Sequence, residues 1–134
     1  MTPQSAMLFA AGYGTRMRPL TDDRPKPLIV VGGRSLLDHA LALTEGIPHR
    51  VVNAHYRAAQ IARHLDGSGI TVSRESPDLL DTGGGLRQAL PHLPGDAVFT
   101  LNTDAAWTGP NPLHTLAAAW DPGRMDALLL CVPL

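Results

Sequence analysis

The chain has 134 residues, of which 44% are hydrophobic, and a formal net charge of −1. This length indicates one domain, residues 1–134, that buries roughly two-thirds of its unfolded surface, and the near-neutral charge argues against a broad nucleic-acid surface. No apolar run approaches the roughly 20 residues of a membrane span, and the N-terminus lacks a signal pattern. Because Cys131 is the only cysteine, we expect a cytoplasmic protein without an internal disulfide.

The first element is a short apolar strand, predicted over residues 6–10 and followed at once by Gly12 and Gly14. Glycine adopts positive φ and lacks a Cβ, so the backbone N–H groups of such a loop approach phosphate oxygens closely. Arg16 follows two residues later, where its planar fork of donors suits a bidentate contact with a phosphate. These residues predict a phosphate-binding loop.

A second cation, Lys26, stands between Pro25 and Pro27. Proline fixes its own φ and disfavours helix at the residue before it, so we expect an extended, stiff segment that leaves the lysine little backbone freedom. A lysine held in this way suits an anionic substrate.

Two common glycine-loop motifs are excluded. The Walker A motif has four residues between its glycines and ends in Lys-Ser or Lys-Thr, and neither feature is present. The dinucleotide fingerprint has a third Gly or Ala where this chain has Met17, and an acidic residue about 20 positions further on, where this chain has none. Pro19 also interrupts the helix that would receive a pyrophosphate.

Helices and strands alternate along the rest of the chain. The predicted helices run from the Ser35 cap to about Glu45, over residues 58–65, from about Gly85 to Leu90, and over residues 112–120. The predicted strands cover residues 50–54, 70–74, 97–102 and 127–132. Because Cys131 lies in the last of these predicted strands, we expect it to be buried in the core. The alternation predicts an α/β fold, a Rossmann-like, doubly wound and mostly parallel sheet flanked by helices.

This topology predicts a position for Asp104, which follows the fourth strand. Ligands of such sheets bind beyond the carboxyl ends of the strands, and the usual strand order 3-2-1-4 places Asp104 beside the Gly12 loop. A carboxylate repels a triphosphate unless a cation bridges them, and Mg²⁺ commonly binds through one or two carboxylates and phosphate oxygens. Asp104 is therefore a candidate Mg²⁺ ligand, and the alternative is that it only turns the chain.

Two further candidates each have a structural alternative. Asn53 ends the second strand near the expected nucleotide crevice, where both a nucleotide contact and a purely structural role fit. Residues 83–85, three glycines, would let a flat nucleobase approach the backbone, or would simply form the turn into a helix. Glu75 and Asp81 flank this segment and are candidates for contacts with ribose or sugar.

Residues 10–21 (AAGYGTRMRPLT) and 25–28 (PKPL) closely resemble the signature of the sugar-1-phosphate nucleotidyltransferases. Residues 81–86 (DTGGGL) and 102–104 (NTD) are most similar to the N-acetylmuramate-1-phosphate uridylyltransferase branch of that family. The resemblance implies catalytic roles for Arg16, Lys26 and Asp104, with Mg²⁺ bound by Asp104. The nucleotide-binding positions that it implies are Ala11, Gly12, Gly14, Thr15, Arg16, Gly83 and Gly84.

The implied reaction joins a nucleoside triphosphate, with UTP favoured, to a sugar 1-phosphate, as in nucleotide-sugar synthesis and cell-wall recycling. Members of the family continue past the point where this chain stops, so we expect a nucleotide-binding part that is truncated at its C-terminus. The missing part would bring a second metal-binding carboxylate and much of the sugar pocket. The alternatives are a nucleotide-binding module without turnover, a mannose-1-phosphate guanylyltransferase and a choline-phosphate cytidylyltransferase.

Overall fold

The computed structural model describes residues 2–134. Single turns of 3₁₀ helix lie at Thr15–Met17, Lys26–Leu28 and Leu90–His92. The remaining elements, in chain order, are β1 (Ser5–Phe9), β2 (Val30–Val31), β3 (Arg34–Ser35), α1 (Leu36–Leu43), β4 (His49–Ala54), α2 (Ala58–His64), β5 (Thr71–Arg74), α3 (Asp81–Ala89), β6 (Phe99–Asn102) and α4 (Pro112–Ala119).

The main sheet has four parallel strands in the order β5-β4-β1-β6, and β2 and β3 form a separate antiparallel ribbon. This order is the predicted one, with the first strand between the second and the fourth. Ser5 pairs with His49 at one end of β1, and Phe9 pairs with Asn102 at the other. The carboxyl ends of β1 and β6 therefore lie side by side.

The alternation of side chains along β1 divides the core between two faces of the sheet. Ala6 and Leu8 belong to a buried cluster that includes residues of α1, α2 and α4. Met7 belongs to a second cluster, which includes Ala89 of α3. Helices thus cover both faces, which confirms the doubly wound architecture.

Side-chain caps begin two of the helices. The Ser35 hydroxyl accepts a hydrogen bond from the Asp38 N–H at 3.0 Å, as the sequence predicts, and the Asn111 carboxamide accepts one from the Leu113 N–H at 2.9 Å. Helix α1 ends at Leu43, two residues before the predicted end. There the Thr44 hydroxyl donates a hydrogen bond to the Leu41 carbonyl at 2.8 Å.

Two predicted elements differ from the structure by more than two residues. Helix α3 begins at Asp81, four residues before the predicted start at Gly85. Residues 127–132 form no strand, because they pair with neither edge of the sheet, and an apolar composition does not make a strand without a partner for its backbone. Leu129 is 81% exposed and Cys131 is also exposed, so the predicted core position of Cys131 is wrong.

None of the helices within residues 2–134 is long and apolar enough to cross a membrane. The longest, α3, has nine residues.

Helices α1 and α2 are linked by a hydrogen bond between the His64 Nε2 and the Asp38 Oδ1, 2.9 Å apart. Partial burial opposes ionisation of Asp38, but hydrogen bonds from His64 and Ser35 outweigh it and hold the pKa of this carboxyl below its ordinary value of 3.8. A carboxyl whose pKa is lower in the folded than in the unfolded chain stabilises the fold above the unfolded pKa. This contribution is lost as the pH falls through the folded-state pKa.

We therefore expect Asp38→Asn to flatten the acid limb of the stability profile. Between about pH 5 and pH 3, the free energy of urea unfolding should fall more steeply for the wild-type chain than for the variant. Asp66→Asn is the matched control, because the Asp66 carboxylate makes no hydrogen bond or ion pair within residues 2–134. Parallel acid limbs for wild type and Asp38→Asn would contradict this role of Asp38.

Candidate nucleotide-binding site

The glycine loop, residues 10–17, leaves the carboxyl end of β1 and turns sharply at Gly14, which has φ +65°. A Cβ at Gly14 would lie 2.9 Å from Thr21 Cγ2 and 3.0 Å from Lys26 Cβ, so both the conformation and the space require glycine. The Thr21 hydroxyl donates a hydrogen bond to the Gly14 carbonyl at 2.7 Å. At Gly12, in contrast, a Cβ would meet nothing within 4 Å, and the backbone there is open to a ligand.

Arg16 lies in the 3₁₀ turn that follows Gly14. Its side chain is exposed and makes no hydrogen bond or ion pair with any other residue in the range 2–134. The guanidinium group is therefore available to an anion in the adjoining cavity.

Lys26 is the only lysine in the sequence. The predicted extended conformation is found only at Pro25, with φ −70° and ψ 151°, whereas Lys26 itself begins a 3₁₀ turn. The fixed φ of Pro27 is compatible with such a turn, and hydrogen bonds from Leu28 N–H to the Pro25 carbonyl and from Ile29 N–H to the Lys26 carbonyl close it. The prediction of an extended segment is wrong. The lysine instead lies in a turn that two backbone hydrogen bonds close.

Asp104 lies just beyond β6, as predicted. The Thr103 hydroxyl donates a hydrogen bond to the Phe9 carbonyl at 2.7 Å, which ties the end of β6 to the end of β1. The Asp104 Oδ2 lies 3.2 Å from the Lys26 Nζ, and the two side chains are 48% and 33% exposed. An ion pair this exposed contributes about 0.2–1 kcal/mol, so either partner can exchange it for a ligand at little cost.

These residues surround a cavity of about 320 Å³. Six of the predicted site residues line it, namely Gly12, Gly14, Thr15, Arg16, Lys26 and Asp104. Two fixed cations and one carboxylate give the wall a net positive charge, which suits a polyanionic ligand.

The other predicted nucleotide contacts lie outside this cavity. Ala11 is buried next to it. Asn53 is 3% exposed and uses its amide inside the protein: Oδ1 accepts from the Ala10 N–H at 2.6 Å, and Nδ2 donates to Glu75 Oε2 at 2.8 Å. Asn53 therefore has a structural role, and its contact with a nucleotide stays a prediction.

Gly83 and Gly84 lie in the first turns of α3, so the segment is a helix entry and not a loop. Glycine weakens a helix, but at two of the three positions the space for a side chain is small, whereas a Cβ at Gly83 would meet nothing within 4 Å. A Cβ at Gly84 would lie 3.0 Å from Leu80 Cβ, and one at Gly85 would lie 2.6 Å from Glu75 Oε2. A contact between this turn and a nucleobase remains a prediction.

Sequence reasoning missed the residues that hold the site in place. Thr21 and Thr103 stand inside the motifs, but only the structure shows that their hydroxyls bond to carbonyls of other segments. Glu75 is 2% exposed, and its Oε1 accepts from the Leu80 N–H at 2.9 Å, so it supports α3 instead of facing a ligand. A local sequence pattern does not predict these hydrogen bonds, because each joins residues from different segments of the chain.

Comparison with known proteins agrees with this geometry. An N-acetylmuramate alpha-1-phosphate uridylyltransferase of Caulobacter vibrioides is 43% identical, over 96% of this chain and 57% of that protein. A protein of the same name from Neisseria meningitidis serogroup B is 43% identical, over 74% of this chain and 46% of that protein. The chain therefore spans about half the length of these relatives.

Among solved structures, a nucleotidyl transferase from Methanothermobacter superposes with a TM-score of 0.73. It is 24% identical, and the superposition covers 87% of this chain and 57% of that one, which shows a shared fold. The model of the MobA-like NTP transferase domain matches residues 6–133. The chain belongs to the MobA-like NTP transferase domain family.

Proposed function

We propose that this chain is the nucleotide-binding part of a sugar-1-phosphate nucleotidyltransferase, with UTP and N-acetylmuramate 1-phosphate as its substrates. The observation that carries the proposal is the meeting of a glycine loop, two cations and a carboxylate around one cavity at the ends of β1 and β6. The choice of UTP and of the sugar is supported by the names of the two bacterial relatives.

The reaction needs no nucleophile from the protein. A phosphate oxygen of the sugar 1-phosphate attacks the α-phosphorus and forms a new P–O bond, while the bond from the α-phosphorus to the bridging oxygen breaks and pyrophosphate leaves with that electron pair. The nucleophile is already an anion, so no general base has to activate it.

Arg16 and Lys26 have two tasks in this reaction. They bind phosphate oxygens, which fixes the α-phosphorus relative to the attacking oxygen, and they reduce the repulsion between two anionic substrates. Alignment of reacting groups is worth up to about 7–11 kcal/mol. Acid–base catalysis typically gives ~10²–10⁴-fold, or roughly 3–5 kcal/mol, so positioning and cations dominate.

Mg²⁺ fits this site only together with a nucleotide. Within residues 2–134 no three potential ligands of the His, Cys, Asp or Glu type cluster, but Mg²⁺ is commonly held by one or two carboxylates and substrate phosphates. Asp104 would be the protein ligand, after exchange of its weak contact with Lys26. When bound, Mg²⁺ supplies positive charge that neutralises the phosphates.

A binding module without turnover is the second candidate, because the described cavity requires only the binding of phosphates. Product formation separates the two functions. Pyrophosphate release from UTP and N-acetylmuramate 1-phosphate supports the enzyme, whereas UTP binding without release supports the module.

The proposal is tested by calorimetric titration of the chain with UTP, GTP, CTP and ATP, each with and without Mg²⁺. We expect UTP to bind most tightly and to need Mg²⁺ for full affinity. Tighter binding of GTP or CTP would overturn the choice of base, and absence of binding by all four would overturn the nucleotide site.

Lys26→Met should weaken UTP binding by about 10- to 100-fold, because a charged hydrogen bond is worth ~1.5–3 kcal/mol. Its melting temperature should hardly change, since the exposed pair with Asp104 contributes little to the fold. Arg63→Met, on the exposed surface of α2, removes the same charge away from the cavity and should bind UTP like wild type. Equal loss of affinity in both variants would show only a general effect of charge.

Asp104→Asn should remove most of the effect of Mg²⁺ on UTP affinity, about 10-fold or more, because the carboxamide is a poor ligand for a hard cation. The fold should persist, since the Asn side-chain oxygen still accepts from Lys26. Titrations at several Mg²⁺ concentrations measure the effect, with Asp96→Asn in an exposed turn as the control. An unchanged Mg²⁺ dependence would rule out Asp104 as the metal ligand.

A further inference from the structure

The glycine loop is held from outside by one short segment, residues 53–56, at the end of β4. At the start of the loop, the Ala10 N–H donates a hydrogen bond to Asn53. Further along the loop, the Gly14 carbonyl accepts a hydrogen bond from the Thr21 hydroxyl. The Thr21 carbonyl in turn accepts one from the Tyr56 hydroxyl at 2.6 Å. The middle of the loop is held by a third contact, between Tyr13 and His55.

Tyr13 lies between Gly12 and Gly14, and its hydroxyl lies 3.0 Å from His55 Nε2. The two rings meet edge to face, with centroids 5.4 Å apart and planes at 87°. Tyr13 remains about half exposed, so burial in the core does not hold it in place. The Tyr56 ring also lies beside Tyr13, with centroids 6.0 Å apart, but His55 provides the hydrogen-bond partner of the Tyr13 hydroxyl.

The hydrogen-bond partners define the tautomer of His55. Its Nδ1 lies 2.7 Å from the Glu75 carbonyl oxygen, which can only accept, so Nδ1 carries the proton. In the neutral ring Nε2 is then an acceptor, and the Tyr13 hydroxyl donates to it. Glu75 is itself fixed, because its N–H donates to the Ala54 carbonyl at 2.8 Å and its carboxylate accepts from Asn53 and Leu80.

We infer that Tyr13 and His55 are positioning residues, which hold the glycine loop in the conformation that receives the phosphates. A peptide segment flanked by two glycines has high conformational freedom, and a loop ordered before the ligand arrives does not lose that freedom on binding. The Tyr13–His55 contact removes the freedom in advance. This inference rests on the proposed function for its effect on affinity, but not for its effect on the free loop.

Three variants separate the two hydrogen bonds of His55, and a fourth variant is the control. Tyr13→Phe removes only the hydroxyl. In His55→Asn the amide nitrogen reproduces Nδ1 and keeps the bond to Glu75, while the acceptor for Tyr13 is lost. In His55→Gln the side-chain oxygen reproduces Nε2 and keeps the acceptor for Tyr13. His49→Asn, on an exposed residue at the other end of β4, is the matched control.

Affinity is measured for UTP with Mg²⁺ and for inorganic tripolyphosphate, which carries the phosphates without the base. Tyr13→Phe and His55→Asn should each weaken both ligands about 3- to 10-fold, and the double variant should be no weaker than either single one. His55→Gln and His49→Asn should stay near wild type. Equal loss for both ligands places the effect on the phosphate loop, and not on the base.

Amide hydrogen exchange in the ligand-free chain gives a reading that does not depend on nucleotide binding, and it is followed at Ala10 and Met17, the loop residues whose N–H groups donate to Asn53 Oδ1 and to the Gly14 carbonyl. Exchange should become faster in Tyr13→Phe and His55→Asn, and stay slow in the control. Unchanged exchange and unchanged affinity in Tyr13→Phe would overturn the inference. If wild type binds neither ligand, the proposed function fails, and the exchange rates alone decide whether the contact orders the loop.

Discussion

The contact of Gly14 with Thr21 and Lys26 is the constraint on which the rest of the site depends. A Cβ at Gly14 would collide with both side chains, so these three segments approach each other only because one of them carries glycine in a left-handed conformation. Thr21 then reaches the Gly14 carbonyl, and Lys26 is brought to the mouth of the cavity. The pairing of β1 with β6 completes the site by adding Asp104 from the other side.

The charges in this cavity are partly paired within the protein. Lys26 and Asp104 neutralise each other at 3.2 Å, while Arg16 leaves one positive charge in excess. In the proposed function, a triphosphate with its metal ion would separate Lys26 from Asp104, because the phosphates would attract the ammonium and the metal would attract the carboxylate. Such an exchange replaces the ion pair between Lys26 and Asp104 with one pair for each side chain, so neither charge is left without a partner.

The sequence predicted those features that depend on local patterns and on topology. Short apolar runs predicted four strands that the structure contains, and Ser35 predicted the start of α1. The alternation of helices and strands predicted the parallel sheet. The adjacency of the glycine loop and Asp104 is a consequence of the strand order in that sheet. The sequence alone therefore predicts that the glycine loop and Asp104 lie close together.

What the sequence did not reveal depends on contacts between distant residues. Glycines 83–85 have poor helix propensity, yet they lie in the first turns of α3, where Gly85 lies close to Glu75 and Asn53. The amide of Asn53 has partners 43 and 22 residues away, which no spacing rule predicts. Residues 127–132 have the composition of a strand but no pairing partner within the described chain, so propensity alone misled.

The presence of a single lysine has a chemical consequence. Every other fixed positive side chain is an arginine, which does not react with acylating reagents under mild conditions, so Lys26 is the one side-chain amine in the molecule. Acetylation would remove its positive charge and its ion pair with Asp104. A reagent that acylates amines would thus report on the mouth of this cavity alone, apart from the chain's own α-amino group.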